Sequence, residues 1–124
     1  MNSREKGKRG EREFAALCRA EGYEVRRGQQ FSGVEGEDVV GLPYLHAEVK
    51  RVEKLNLEAA MQQSIRDCQG KIPIVAHRRN GEKWKITMLA EDFFKMYHEW
   101  EASEDMKGRS RENDALRQNQ VYDN

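Results

Sequence analysis

The stretch Tyr44 to Val52 limits most tightly how this chain can fold. Leu45, Ala47 and Val49 alternate there with His46, Glu48 and Lys50, and a period of two marks a strand whose successive side chains point to opposite faces. One face is apolar and suits a core. The other sets a carboxylate beside an ammonium, where a sheet packed on both faces would prefer apolar groups. A surface strand of alternating charge satisfies the same pattern, and Glu-x-Lys alone is a common accident.

The flanking segments alternate between helical and strand character. Residues 5–21 place Phe14, Leu17 and Cys18 at i, i+3, i+4 and stop at Gly22, which predicts a helix. Tyr23 to Arg27 predicts a first strand. A loop rich in Gly and Gln, Gly28 to Gly36, leads to Asp38-Val39-Val40, a short second strand ended by Gly41 and Pro43. Tyr44 to Val52 is the third. Leu57, Met61, Ser64, Ile65 and Cys68 recur at helical spacing over 56–69, closed by Gly70. Ile72 to Ala76 suits a buried strand, and Asn80-Gly81 predicts a tight hairpin to Trp84–Leu89, because both turn positions would take positive φ. A third helix is expected from Ala90 to about Trp100, burying Phe93, Phe94, Tyr97 and Trp100. The fold class is therefore α/β, a mixed central sheet flanked by helices. One domain over 1–101 is expected, with a polar, flexible tail over 102–124 that lacks periodicity.

With 124 residues, 22 of them Lys or Arg and 22 Asp or Glu, the chain has room for one modest core and no net charge to draw it to nucleic acid. The charge is nonetheless uneven. Arg4, Lys6, Lys8, Arg9 and Arg12 outnumber Glu5 and Glu11 at the start, and residues 66–85 are also basic, whereas 91–105 carry six acids and one lysine. The two cysteines, Cys18 and Cys68, fit neither a CxxC nor a Cys/His ligand spacing. With no apolar leader region or membrane-length apolar run, the expectation is a reduced, cytoplasmic protein, without a membrane or a small-molecule cofactor.

Asp38 lies ten residues before Glu48, at a hairpin's reach, so adjacent strands can offer two hard oxygen ligands to Mg²⁺. Lys50 then stands where an ammonium can balance charge on a phosphorane-like transition state or orient a water. The first helix offers a third acid. At roughly 100° per residue Glu11 lies about 65° from the centre of the apolar face and Glu13 about 95° on the other side, so Glu11 is the better inward candidate. Both also suit a solvated helix face. His46 shares the Glu48 face and is a candidate to border the site, with a structural or rim role the favoured account. Gln62 and Gln63 are candidates to bond a phosphate or a bound water, with solvent exposure an equal account. His77, Arg78 and Arg79 stand at a hairpin, and Trp84 and Trp100 suit core or dimer contacts better than base stacking.

Taken in order, Lys6-Gly7-x-x-Gly10-Glu11-Arg12-Glu13-Phe14, Gly22-Tyr23-x-Val25-x-Arg27, Asp38-Val39-Val40 and Glu48-Val49-Lys50 resemble the archaeal-type Holliday-junction resolvases and their viral relatives, over about residues 6–90. The resemblance implies a PD-(D/E)xK restriction-endonuclease-like core and a Mg²⁺-dependent endodeoxyribonuclease, with Mn²⁺ able to substitute. It places metal-site acids at Glu11, Asp38 and Glu48, and the catalytic lysine at Lys50. It puts phosphate-contacting arginines at Arg12 and Arg27 and Lys6 in a basic N-terminal segment; apart from the resemblance, the DNA-binding candidates also include Lys8, Arg9, Arg26 and Arg51. Gln63 and Ser32 are possible accessory residues, although the loop from Gly28 to Glu37 is longer than in the archaeal members. The implied partners are branched DNA, chiefly the four-way junction, and a second copy of the chain. Another PD-(D/E)xK endonuclease of restriction or repair type, or a catalytically silent DNA-binding domain of the same fold, stays open.

Overall fold

A computed structural model of the chain describes residues 3–28 and 38–122. Its elements are α1 (Ser3–Ala20), β1 (Arg26–Arg27), β2 (Val39–Val40), β3 (Leu45–Arg51), α2 (Leu57–Asp67), β4 (Ile72–Arg78), β5 (Lys85–Met88) and α3 (Ala90–Tyr122). The five strands form one mixed sheet in the order β1-β2-β3-β4-β5. The β3–β4 pair is parallel, joined through α2, and the other three pairs are antiparallel. This is an α/β fold with a helix-flanked mixed sheet, compatible with a restriction-endonuclease-like core.

Strand parity decides what each helix covers. Ala47, Val49, Ile74 and Ala76 share one face and pack with Phe14, Ala15 and Cys18 of α1. Val75 points the other way, onto Ala60 and Met61 of α2, and His46 and Glu48 share that second face. Ser64 fastens α2 to the sheet: its buried hydroxyl donates to the Ile74 carbonyl at 2.9 Å. Asn56 caps the helix, accepting from Ala59 N–H at 3.0 Å.

Several local expectations change. The first strand shrinks to Arg26–Arg27, because Val25 N–H bonds Tyr23 O at 2.9 Å and this i→i+2 closure takes the segment out of the ladder. The predicted two-residue hairpin is a longer connection between β4 and β5. Only Gly81 takes positive φ there, and Glu82 N–H bonds Arg79 O, the pattern of a type II turn. Trp84 packs against Phe14, with ring centroids 5.3 Å apart, and Ile74 to Ala76 are buried inside the sheet. Neither offers an apolar face to a partner.

Gly41 holds the edge of the sheet together. Its φ of 115° suits glycine, and a Cβ there would overlap the Glu24 carbonyl oxygen and lie 3.2 Å from Val25 Cα. Strained backbone and backbone overlap each cost about 1–3 kcal/mol. Gly41→Ala should therefore lower unfolding stability by more than about 2 kcal/mol in urea titration; a loss under 0.5 kcal/mol would show that the β1–β2 edge gives way freely.

The chain divides into two compact units, Met1–Leu89 and Ala90–Asn124. The second unit is α3, and the helix does not stop near Trp100. It continues to Tyr122, through the segment expected to be a flexible tail. Glu, Ala, Lys, Arg, Leu and Gln make up about half of that segment, and such residues sustain a solvated helix by propensity without apolar period. Phe93, Phe94, Tyr97 and Trp100, expected to be buried, are 39–58% exposed. No helix among the described residues is long and apolar enough to cross a membrane.

Candidate functional site

The short β2 brings Asp38 beside β3. Val39 pairs with Ala47 on the α1 face, so alternation turns Asp38 toward the Glu48 face. Its carboxylate also extends the ladder by one rung: Asp38 Oδ2 accepts from Val49 N–H at 2.8 Å. That bond fixes the carboxyl against β3, within hydrogen-bond reach of Glu48.

Glu48 is 1% exposed. Burial first, then the charge of Asp38 and the hydrogen bond with it, push its pKa up to about 8, with Lys50 pulling the other way. Two carboxyls this close hold a proton between them more readily than two negative charges. The Glu11 pKa is also raised. Burial is the largest cause, Arg27 opposes it, and Asp38 and Lys50 act on it with opposite signs. All four sequence-predicted residues thus share one electrostatic neighbourhood, at the meeting of α1, β2 and β3.

Glu11 nevertheless stands slightly apart. Its Oε2 accepts from Arg27 Nε at 2.8 Å, and its carboxylate does not belong to a three-ligand group with Asp38 and Glu48. Glu13 turns to other partners: Arg51 Nε at 2.9 Å, Arg78 Nη1 at 3.0 Å and Arg9 Nε at 3.6 Å. The Arg51 contact is a close charge pair whose N–H does not point along it. Gly10 lets α1 approach here, since a Cβ would stand 2.8 Å from Arg51 Cβ.

These pairs reshape the expected basic surface. Arg27, Arg9 and Arg51 are engaged by acids of α1, and the Arg51 side chain is 12% exposed. Arg51 is better described as a strut between β3 and α1 than as a free phosphate contact. Arg12 and Arg26 are exposed and Lys8 is half-buried. The Lys6 side chain and Ser32 lie outside the described residues. Gln63 is half-buried on α2, whereas Gln62 is exposed and donates to Glu58 at 3.3 Å. His77 bonds Thr87 at 2.9 Å, with its pKa lowered by burial and by Lys85. Arg78 serves Glu13, and Arg79 pairs with Glu82.

His46 lies inside the fold, 2% exposed, with Nε2 3.2 Å from Glu48 Oε1. Asp67, the last residue of α2, completes a trio with them whose ligand atoms all lie within 4.8 Å of one another, the one such group among the described residues. This cluster could hold a metal ion. Sequence reading missed Asp67, because it sits in a basic stretch with no motif. The available signal was topological: a helix joining parallel strands ends near the start of the first, where His46 stands.

The donors suit a hard cation at the Asp38–Glu48 pair, which offers only oxygen, and a mixed set at the trio. Neither the models of known protein families nor the curated proteins include a match to this chain.

Proposed function

We propose that this protein is a metal-dependent DNA endonuclease acting on branched DNA, with the four-way junction as its principal substrate. The observation that carries the proposal is the Asp38–Glu48 pair: two carboxyls from neighbouring strands within hydrogen-bond reach of each other, Glu48 buried and Asp38 half-buried, beside Lys50. A buried carboxyl crowded by a second acid is unfavourable for stability, and it gains a purpose when a cation replaces the shared proton.

Asp38 and Glu48 would hold Mg²⁺, with Mn²⁺ a substitute. The ion would polarise a phosphate oxygen and lower the pKa of a water. The protein's own groups supply the rest. Val49 N–H orients Asp38. Lys50 faces the developing charge on the phosphate, and Glu11 holds Arg27, whose remaining N–H groups can take a phosphate oxygen. Arg12 and Arg26 extend the track as backbone contacts that position without specifying a base.

Cutting a junction symmetrically calls for two sites related by a two-fold axis, so the proposal includes a homodimer. The exposed aromatics of α3 suit pairing with a second copy. In an antiparallel pair the six acids of 91–105 would face the stretch 106–118, where Lys107, Arg109, Arg111 and Arg117 outnumber Glu112 and Asp114.

Nicking of four-way, forked and linear DNA, with Mg²⁺ and then with EDTA, tests the function, and sedimentation on the same sample tests the dimer. Junction cleavage should exceed linear cleavage, vanish on chelation and return with Mg²⁺ or Mn²⁺. Equal cutting of linear and four-way DNA would point to a restriction or repair enzyme. Binding without cleavage under every metal condition would point to a silent DNA-binding domain.

A further inference from the structure

Glu48 is contacted from two sides. Asp38 meets it from β2, and on the other side stand His46 and Asp67, which the proposed reaction does not use. We infer that His46, Glu48 and Asp67 form a second cation site of mixed nitrogen and oxygen character, selective for first-row transition ions over Mg²⁺, with Glu48 shared between the two positions.

The geometry is close to that of a bound ion. His46 and Glu48 project from the same face of β3, two residues apart, and Nε2 to Oε1 is 3.2 Å. Ligands at about 2.0–2.1 Å from one ion are separated by roughly 2.9–3.4 Å, from octahedral to tetrahedral angles. The pair is already spaced as neighbouring ligands. Asp67, whose ligand atom lies within 4.8 Å of the other two, must close in by at most about 1.4–1.9 Å to reach those separations, and a half-buried residue at a helix end can do so by changing rotamer. The C-terminal end of α2 carries the negative pole of the helix and also favours a cation.

An imidazolium–carboxylate pair is the competing account. It explains the 3.2 Å contact but not why a third acid converges on it, or why a histidine and a glutamate are buried together at 2% and 1% exposure. Imidazole also sets the selectivity. Mg²⁺ prefers oxygen and dehydrates reluctantly, whereas affinity at a site containing His rises from Mn²⁺ to Co²⁺. Ions bridged by one carboxylate in two-metal sites stand about 3.5–4 Å apart, which the two flanks of one buried glutamate permit.

The site exists whether or not the protein cuts DNA, so it is tested without DNA. The full chain, stripped with chelator, is titrated calorimetrically with Mn²⁺, Co²⁺ and Mg²⁺, and the Mn²⁺ form is examined by pulsed electron paramagnetic resonance for nitrogen coupling. We expect nitrogen coupling in the wild type, and Co²⁺ binding at least tenfold tighter than Mg²⁺. His46→Asn should abolish the coupling and weaken Mn²⁺ and Co²⁺ at least tenfold, with Mg²⁺ affinity changed less than threefold. Asp67→Asn, at a half-buried helix end and thus a milder change to the fold, should weaken Mn²⁺ and Co²⁺ while the coupling persists. Wild-type protein that binds Mn²⁺ without nitrogen coupling, or Asp67→Asn with unchanged Mn²⁺ and Co²⁺ affinity, would overturn the site even if His46→Asn failed to fold. Loss of nuclease activity alone would bear on the Asp38–Glu48 reading and not on this one.

Discussion

Lys50→Ala should reduce junction cleavage by about 10²–10³-fold at saturating Mg²⁺, the range found when one preorganised group facing transition-state charge is removed. Lys50 is the cation of the site that no acid engages in a short ion pair among the described residues, whereas Arg27 is held at 2.8 Å by Glu11 and Arg51 at 2.9 Å by Glu13. Its charge also opposes the rise in the Glu48 and Glu11 pKa values. Removing it leaves Glu48 holding its proton more firmly, so part of the loss could reflect weaker metal binding. A pH series separates the two effects. A deficit from metal loss should shrink as pH rises from 7 to 9 and Mg²⁺ is increased, whereas a deficit in charge stabilisation should persist. Lys50→Arg should not restore the rate, since a planar guanidinium does not place its charge where a compact ammonium does. Near wild-type cleavage by Lys50→Ala would remove Lys50 from the reaction.

The order of elements and the face carrying the acids were legible because they rest on period. Alternation along Leu45–Arg51 separates His46, Glu48 and Lys50 from Ala47 and Val49, and the register of β3 against β4 depends on that division. Asp38 was legible from spacing, and Glu11 from helix geometry. Three things were not. The fate of the arginines depends on which acid lies across space, so Arg51 and Glu13, far apart in sequence, could not be matched. The length of α3 escaped because a helix without a buried face has no period to detect. Asp67 escaped because a ligand arriving from the end of a crossover helix leaves no motif.

Stripped of metal, the protein should lose stability as pH rises from about 5 to about 8. Glu48 has a folded pKa of about 8 against an ordinary value of 4.5, so the folded chain binds its proton more tightly than the unfolded chain does. Stability from a raised pKa is fully present below the unfolded value and is lost as pH climbs through the folded one; the slope is therefore negative across this window. At about 1.4 kcal/mol per pKa unit, the loss is on the order of a few kcal/mol, a large part of the stability of a domain this size. Glu11 adds a smaller loss of the same sign. His77 acts in the opposite sense, because its lowered pKa withdraws stability as pH falls below its ordinary value of 6.5. Comparing variants removes that overlap. Glu48→Gln keeps a donor toward Asp38 without the ionisable proton, so in EDTA it should match the wild type near pH 5 and exceed it near pH 8, in urea titrations at both pH values. The same substitution should abolish cleavage. Mg²⁺ or Mn²⁺ should stabilise the wild type more at pH 8 than at pH 5, because the ion takes the place of a proton that is already leaving. A wild-type stability that is flat or rising over this range, with Glu48→Gln no more stable at pH 8, would mean that Glu48 is ionised in the folded chain without a metal.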